Sequence, residues 1–192
     1  MTITRSFTIL AALSALSQLP AAVITSGTVT LDDSDPTQLG RVLRNNVPSV
    51  WGTVKPFPGI ASAASTFNYE LVNFNTSGFN QIQITYVHNS GVNANIFGVA
   101  YNGSFNAGNL ALNYLGDQGN SVLPASPGPR IFQLDTGTSQ SIVLAFSTAA
   151  TNAFGVVGYT VEGFNSGVPE PSTLGSVGAA LGLLAFLRHR RN

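Results

Sequence analysis

Residues Gln81–His88 have the sequence Q-I-Q-I-T-Y-V-H, and this stretch decides the fold. Its side chains alternate between apolar and polar, and a period of two residues is typical of a β-strand with one buried face. We predict that Ile82, Ile84 and Tyr86 share the buried face, while the side chains between them face the other way. The rest of the body is then expected to supply partner strands for this one.

Further strand-like segments flank this stretch on both sides. They are short, rich in β-branched and aromatic residues, and bounded by turns of Gly, Asn, Pro, Ser and Thr. They cover Val23–Leu31, Ser65–Phe74, Ile96–Tyr101, Arg130–Leu134, Ser141–Thr148 and Gly155–Phe164. The Asn/Gly-rich segment Ser104–Ser121 adds either a short edge strand or one helical turn. About seven or eight strands without a long helix predict an all-β body, an antiparallel β-sandwich.

The segment Asp32–Ala64 is long, rich in Pro and poor in periodic apolar positions. It predicts an ordered loop, with a short helical turn over Thr37–Leu43 as an option. Loops of this length in compact domains are usually either functional or disordered. Trp51 and Phe57 argue against disorder, because a solvated aromatic side chain gains nothing there. We therefore predict that the loop folds back over the sandwich, with Trp51 as its anchor or, alternatively, as a ligand platform for sugar rings.

The N-terminus has the layout of a secretory signal. Met1–Ser6 carries one positive charge, Phe7–Leu16 is apolar, and Ser17–Ala22 is rich in small residues. This order is typical of a cleaved signal peptide, whose apolar core we expect to be helical. Residues 1–22 are therefore predicted to be a signal peptide, and residues 23–164 to be the exported domain.

The C-terminus has three parts in a fixed order. Residues 165–173 form a linker whose prolines favour an extended backbone. Residues 174–187 are uncharged and mostly apolar, and residues 188–192 are basic. An apolar run followed by arginines predicts a transmembrane helix with a cytoplasmic tail. The candidate functional residues of this terminus are Val168, Pro169, Glu170 and Pro171 in the linker, and Arg188, Arg190 and Arg191 in the tail.

This tail resembles the PEP-CTERM sorting signal of Gram-negative bacteria. The resemblance implies that an exosortase recognises Pro169, Glu170 and Pro171 and cuts the chain at or near them. It also implies that the three arginines hold the tail in the cytoplasm until the cut. The implied route passes through the general secretion machinery and signal peptidase to a transient inner-membrane intermediate. It ends at the cell surface or in the extracellular matrix.

The body resembles a β-sandwich domain that recurs in PEP-CTERM proteins. The residues that carry this likeness include Asp35–Arg41, Trp51, Phe57–Gly59 and Asn113–Gly119. The last part, up to Glu162, is similar to the pre-peptidase C-terminal type of accessory domain, which implies a jelly-roll-like arrangement. No chemistry is assigned to this family, so the likeness implies a fold and an exported setting only.

Composition narrows the possible partners. The chain has no cysteine, so an exported domain must be held together by its core rather than by disulfides. Residues 23–167 include seven acidic and four basic side chains, which gives a net charge near −3 (4 − 7). No basic cluster occurs among them, and this argues against a nucleic-acid partner.

Candidate reactive groups are few. His88 is the single histidine of the body and ends a strand beside a turn, so a position at the rim is favoured over catalysis. The motifs of serine hydrolases, zinc proteases and phosphate loops are absent. Asp32, Asp33 and Asp35 are the best candidates for calcium ligands, yet they lack the spacing of an EF-hand and favour a solvated turn. We therefore expect no enzyme activity, no cofactor and no metal.

These observations predict a non-enzymatic, exported protein of the cell surface or the extracellular matrix. The alternative is a carbohydrate-binding module that recognises exopolysaccharide. An exported hydrolase is disfavoured, because no residue pattern of the body supplies a nucleophile together with a base.

Overall fold

The structure, a computed structural model, describes residues 21–137 and 140–165. These residues contain nine β-strands and no helix. The strands are β1 (Ala22–Leu31), β2 (Thr37–Val42), β3 (Ile60–Asn75), β4 (Gln81–Ser90), β5 (Ile96–Asn102), β6 (Tyr114–Asp117), β7 (Arg130–Asp135), β8 (Ser141–Thr148) and β9 (Gly155–Phe164). The prediction of an all-β, antiparallel body is confirmed, whereas the expected number of about seven or eight strands is too low.

The strands form two sheets. The four-stranded sheet has the order β1-β9-β4-β7, and the five-stranded sheet has the order β2-β3-β8-β5-β6. The first and last strands are neighbours, and Ala22 pairs with Gly163 in their antiparallel register. The described chain therefore begins and ends at the same end of the same sheet.

The main core lies between the two sheets. Ile82, Ile84 and Tyr86 are fully buried in it, which confirms the face predicted from the alternation in β4. The Tyr86 hydroxyl donates to the Asn120 carbonyl at 3.1 Å and accepts from the Gly98 amide at 3.3 Å, so the buried phenol keeps both kinds of partner. Other large members of this core are Leu31, Ile96, Phe132, Ile142, Leu144, Phe146, Val157 and Val161.

A second core covers the opposite face of the five-stranded sheet. In β5, Ile96 and Ala100 belong to the main core, while Phe97, Val99 and Tyr101 belong to the second. Strand β8 divides its side chains in the same alternating way. Both strands are consequently buried on both faces, which explains their nearly continuous apolar sequences.

The prediction of a loop over the whole of Asp32–Ala64 is wrong. Thr37–Val42 forms strand β2, rather than a helical turn, and pairs with β3, which already begins at Ile60. The inward positions of β2 include a buried glutamine, Gln38, whose amide donates to the Gly40 carbonyl at 3.1 Å. A Gln and a Gly at inward positions hide the period-two pattern. The loop that remains, residues 43–59, is called the 43–59 loop below.

The two options for Ser104–Ser121 are also resolved. Tyr114–Asp117 forms the short edge strand β6, which pairs with β5. The residues before it form turns, and Leu110 inserts from them into the second core with 1% of its surface exposed. This segment therefore both closes the sheet edge and covers its outer face.

Several predicted segments lie outside the described residues. They are residues 1–20 of the signal peptide with its helix, most of the linker, the transmembrane helix at residues 174–187 and the basic tail at residues 188–192. Within the residues that the structure does describe, no helix is long and apolar enough to cross a membrane.

Candidate functional site

Trp51 joins the 43–59 loop to the four-stranded sheet. Its indole N–H donates to the Ile82 carbonyl at 3.2 Å, and its half-buried ring meets the Phe164 ring edge-on with centroids 5.0 Å apart. The next residue, Gly52, donates its amide to Asp135 Oδ2 at 2.6 Å. The loop thus folds back over the sandwich, and these are the contacts of an anchor. The use of Trp51 as a sugar platform stays a prediction.

We expect Trp51→Ala to lower the free energy of unfolding by about 2 kcal/mol, less than the loss for a fully buried tryptophan. Trp51→Phe keeps a ring beside Phe164 but loses the hydrogen bond to Ile82, so its cost should be about 1 kcal/mol. Because Trp51 is the only tryptophan, its emission reports on this site alone and should be blue-shifted in the folded protein. Emission like that of free tryptophan, with unchanged stability of Trp51→Ala, would contradict the anchor.

The 43–59 loop is fixed at a second point by a buried ion pair. Lys55 Nζ lies 2.6 Å from Asp117 Oδ1, and the two side chains are 6% and 0% exposed. The other carboxylate oxygen, Oδ2, accepts a hydrogen bond from the Tyr114 hydroxyl, and Oδ1 also accepts the Gly119 amide at 2.5 Å. Lys55 additionally donates to the Val47 carbonyl at 2.5 Å. Every charged atom of the pair therefore has partners inside the protein.

Glycine allows the loop to approach strand β6 and the turn after it. Gly119 has a φ of +82°, and a Cβ at this position would clash with the backbone of Val47. Ser49 lies against the same segment, since its amide donates to the Asp117 carbonyl at 2.8 Å and its hydroxyl accepts the Asp117 amide at 3.0 Å. Burial, followed by the charge of Asp117, raises the pKa of Tyr114 far above its usual range, so the phenol stays protonated and donates.

Sequence reasoning missed this cluster. The segment Ser104–Ser121 was expected to hold an edge strand or a helical turn, with no partner assigned to Asp117, and Lys55 was given no role. One signal was present, because Lys55 is the only lysine of the chain and stands in the apolar, Pro-rich stretch V-K-P-F-P. A single cation in such a setting is unusual, and buried lysines are normally paired. The partner itself could not be identified from the sequence.

The acidic residues at the β1–β2 connection form a turn. Asp32 Oδ1 accepts the Ser34 amide at 2.8 Å, and Asp35 Oδ2 accepts the Asp32 amide, also at 2.8 Å. The Ser34 hydrogen bonds hold the pKa of Asp32 below its usual value. Across residues 21–137 and 140–165, no group of three His, Cys, Asp or Glu side chains could hold a metal ion. The side-chain hydrogen bonds of Asp32 and Asp35 are those of a turn.

The acidic turn affects the pKa of Glu70 in strand β3. Burial raises the pKa of Glu70 above its usual value, the negative charges of Asp35 and Asp32 raise it further, and a hydrogen bond from the Thr30 backbone lowers it in part. The folded protein then binds the Glu70 proton more tightly than the unfolded chain does. Its contribution to stability is present below the unfolded pKa and is lost as pH rises through the folded pKa.

We therefore expect Glu70→Gln to gain stability relative to the unmodified protein as pH rises from about 4 to 7. Glutamine can still accept the Thr30 hydrogen bond but carries no charge beside Asp35. Urea unfolding of both proteins at several pH values measures the difference. In about 1 M salt the part that comes from repulsion by Asp32 and Asp35 should shrink, while the part that comes from burial should remain. Parallel stability curves at all pH values would contradict the interpretation.

His88 lies where the sequence placed it, near the end of β4 at the rim. Its Nε2 is 3.1 Å from the Gly91 carbonyl in the following turn. In the part of the chain that is described, the ring makes no hydrogen bond to a carboxylate or to a serine hydroxyl. This contact ties the imidazole ring to the turn that follows β4.

A shallow groove crosses the outer face of the four-stranded sheet. Its volume is about 410 Å³, and Thr85, Val87 and Asn89 line it from the face of β4 opposite Ile84 and Tyr86. Gly158 forms part of the floor, and a Cβ there would come within 3.0 Å of the Asn89 amide. The other lining residues are Ser26, Gly27, Thr28, Tyr159 and Thr160. None of these side chains carries a charge at neutral pH.

The sequence did not reveal this groove. Ser26 pairs with Thr160, and Thr160 pairs with Thr85, so hydroxyls from β1, β9 and β4 stand in one row. A parallel row is linked by hydrogen bonds, since Gln133 donates to Gln83 at 3.0 Å and Gln83 donates to Glu162 at 3.3 Å. Such rows depend on the register of strands that are distant in sequence.

Comparison with known families matches residues 167–191 to the PEP-CTERM protein-sorting motif. The match covers the C-terminal tail and none of the body, and no curated protein matches the chain. It confirms the resemblance noted for the tail and implies export, processing by an exosortase and a surface location. Val168–Pro171 and the three arginines lie outside the described residues, so their roles stay predictions.

Proposed function

We propose that this protein, whose tail is a PEP-CTERM sorting motif, is a non-enzymatic component of the cell surface or of the extracellular matrix. The sorting motif at residues 167–191 is the observation that carries the proposal. In this proposal the signal peptide starts export, and the apolar segment with its arginines holds an inner-membrane intermediate. An exosortase then cuts at or near Pro169, Glu170 and Pro171 and sends the β-sandwich to the surface.

The hydrogen bonds of the body support a structural role. A hydrolytic site needs a base within hydrogen-bond reach of a nucleophile or a bound water. Asp117 is committed to Lys55, Asp135 accepts from Gly52 and Gln81, and His88 contacts a backbone carbonyl. Each of these three candidate bases has a partner that stabilises the fold.

The sorting proposal predicts that the mature surface protein lacks residues 174–192. Mass spectrometry of both termini of the protein released from the cells measures this directly. Substituting Ala for Pro169, Glu170 and Pro171 together should leave the uncut chain in the inner membrane, because the exosortase loses its recognition sequence. Ser172→Ala is the matched control and should be processed normally. An intact C-terminal peptide in the released material would refute the proposal.

The groove on the four-stranded sheet favours a second candidate function, binding of exopolysaccharide. Hydroxyl and amide side chains without charge match the hydrogen-bonding groups of neutral sugars, and the groove is open along the sheet face. A sandwich face of this kind would hold an internal segment of a polymer. This role is compatible with sorting to a polysaccharide matrix.

A glycan array separates the candidate functions. If the groove binds sugar, the unmodified protein should retain neutral glycans, and Gly158→Val, which fills the groove, should not. If Trp51 is the platform, Trp51→Ala should lose binding while Gly158→Val keeps it. If the unmodified protein binds no glycan, the sugar-binding function is refuted and the structural role alone remains.

A further inference from the structure

Lys55 and Asp117 form an ion pair whose two groups can also react with each other. An amine and a carboxyl group in contact are also a nucleophile and an electrophile, here with Nζ 2.6 Å from Oδ1. Asp117 is completely buried, so water is excluded from the contact. We propose that Lys55 and Asp117 condense to an intramolecular isopeptide bond between Nζ and Cγ, which links the 43–59 loop covalently to strand β6.

The reaction balances without any further reagent. The Nζ–Cγ bond forms, the Cγ–Oδ2 bond breaks, and Oδ2 leaves as water. The ammonium group of Lys55 has three protons, of which one remains as the amide N–H and two leave with the oxygen. No oxidant, reductant or cofactor is consumed.

The neighbours of Asp117 are placed to assist this step. The Tyr114 hydroxyl donates to Oδ2, the departing oxygen, and this hydrogen bond stabilises the negative charge on that atom as the Cγ–Oδ2 bond breaks. The Gly119 amide donates to Oδ1, the oxygen on which negative charge develops during the attack. Donors aimed at a developing oxyanion in a water-excluded site are an effective source of rate acceleration.

Burial favours the amide over the ion pair. Two charges held away from water carry a large desolvation cost, whereas an amide carries no charge. The amide keeps a donor for the Val47 carbonyl and an acceptor for the Gly119 amide, so both of these hydrogen bonds survive condensation. Groups held in contact by a fold react as if at very high effective concentration.

A covalent bond of this kind would stabilise an exported domain that has no disulfides. The chain has no cysteine, so a disulfide cannot stabilise it outside the cell. Lys55 is its only lysine, and the ion pair with Asp117 is the one found among the described residues. A link between these two residues would close the long 43–59 loop against the edge strand β6.

The test is the mass of one peptide from the protein as the cells release it. Pro56 follows Lys55 and blocks trypsin there, so Lys55 and Asp117 stay together in the tryptic peptide of residues 45–130. We expect this peptide to be lighter than its sequence by the mass of one water molecule. A peptide of full mass would overturn the proposal.

Two variants identify the bond. In Lys55→Arg the mass deficit should disappear, and in Asp117→Asn the loss should change from water to ammonia, because the side-chain amide nitrogen now departs. A water loss that persists in Lys55→Arg would place the dehydration elsewhere and overturn the proposal.

If Lys55→Arg fails to accumulate, further digestion of the unmodified peptide with chymotrypsin decides the question. A branched fragment that contains both Lys55 and Asp117 supports the bond, and two separate linear fragments refute it. Neither outcome depends on the sorting of the chain or on sugar binding.

Discussion

Replacing Lys55 by Met is expected to lower the free energy of unfolding by about 3–5 kcal/mol. Asp117 is fully buried, and its counter-charge lies 2.6 Å away in the unmodified protein. Removing the cation leaves a buried carboxylate that keeps its hydrogen bonds from Tyr114 and Gly119 but has no counter-charge, which costs far more than the pair itself contributes. A covalent bond between the two residues would add to this loss, because it also restricts the unfolded chain. Urea unfolding followed by Trp51 emission and by circular dichroism measures the change.

The matched control is the double variant Lys55→Met/Asp117→Leu. It removes both charges and should recover part of the loss, because apolar side chains of similar volume can replace a buried ion pair. Asp33→Asn, at an exposed position of the acidic turn, should change stability by less than about 0.5 kcal/mol. A loss below about 1 kcal/mol in Lys55→Met would show that water reaches Asp117 and that the pair is not buried.

Replacing Ile84 by Ala is expected to cost about 3 kcal/mol. Strand β4 lies between β9 and β7, and Ile84 pairs with Val161 on one side and with Phe132 on the other. All three side chains are buried, so truncation leaves a cavity that the neighbouring strands cannot close without breaking their register. Chemical unfolding of the variant and the unmodified protein under the same conditions measures the difference.

Ile131→Ala is the matched control for this prediction. It removes the same atoms from strand β7, but Ile131 is 41% exposed and pairs with Thr85 on the outer face. Its cost should stay within about 0.5 kcal/mol. Similar losses for Ile84→Ala and Ile131→Ala would mean that the register of β4 differs from the one described.

The sequence by itself determined the features whose signal is local. The alternation in Gln81–His88 identified the buried face of β4, since a strand repeats every two residues whatever its partners are. The tail was recognisable because its motif, apolar run and arginines follow one another directly along the chain. Trp51 stood out from its position among prolines, outside any strand, which predicted either an anchor of its loop or a ligand platform.

Only the tertiary structure decided the features that depend on pairing between distant segments. Strand β2 was missed because Gln38 and Gly40 occupy its inward positions, and its pairing with β3 cannot be inferred from its own sequence. The contact of Lys55 with Asp117 joins positions 62 residues apart. The groove needs Ser26, Thr85 and Thr160 in one row across three strands. Periodicity shows which face of a segment is buried, but it carries no information about which segment lies opposite, because register and loop closure are set by the packing of the whole body.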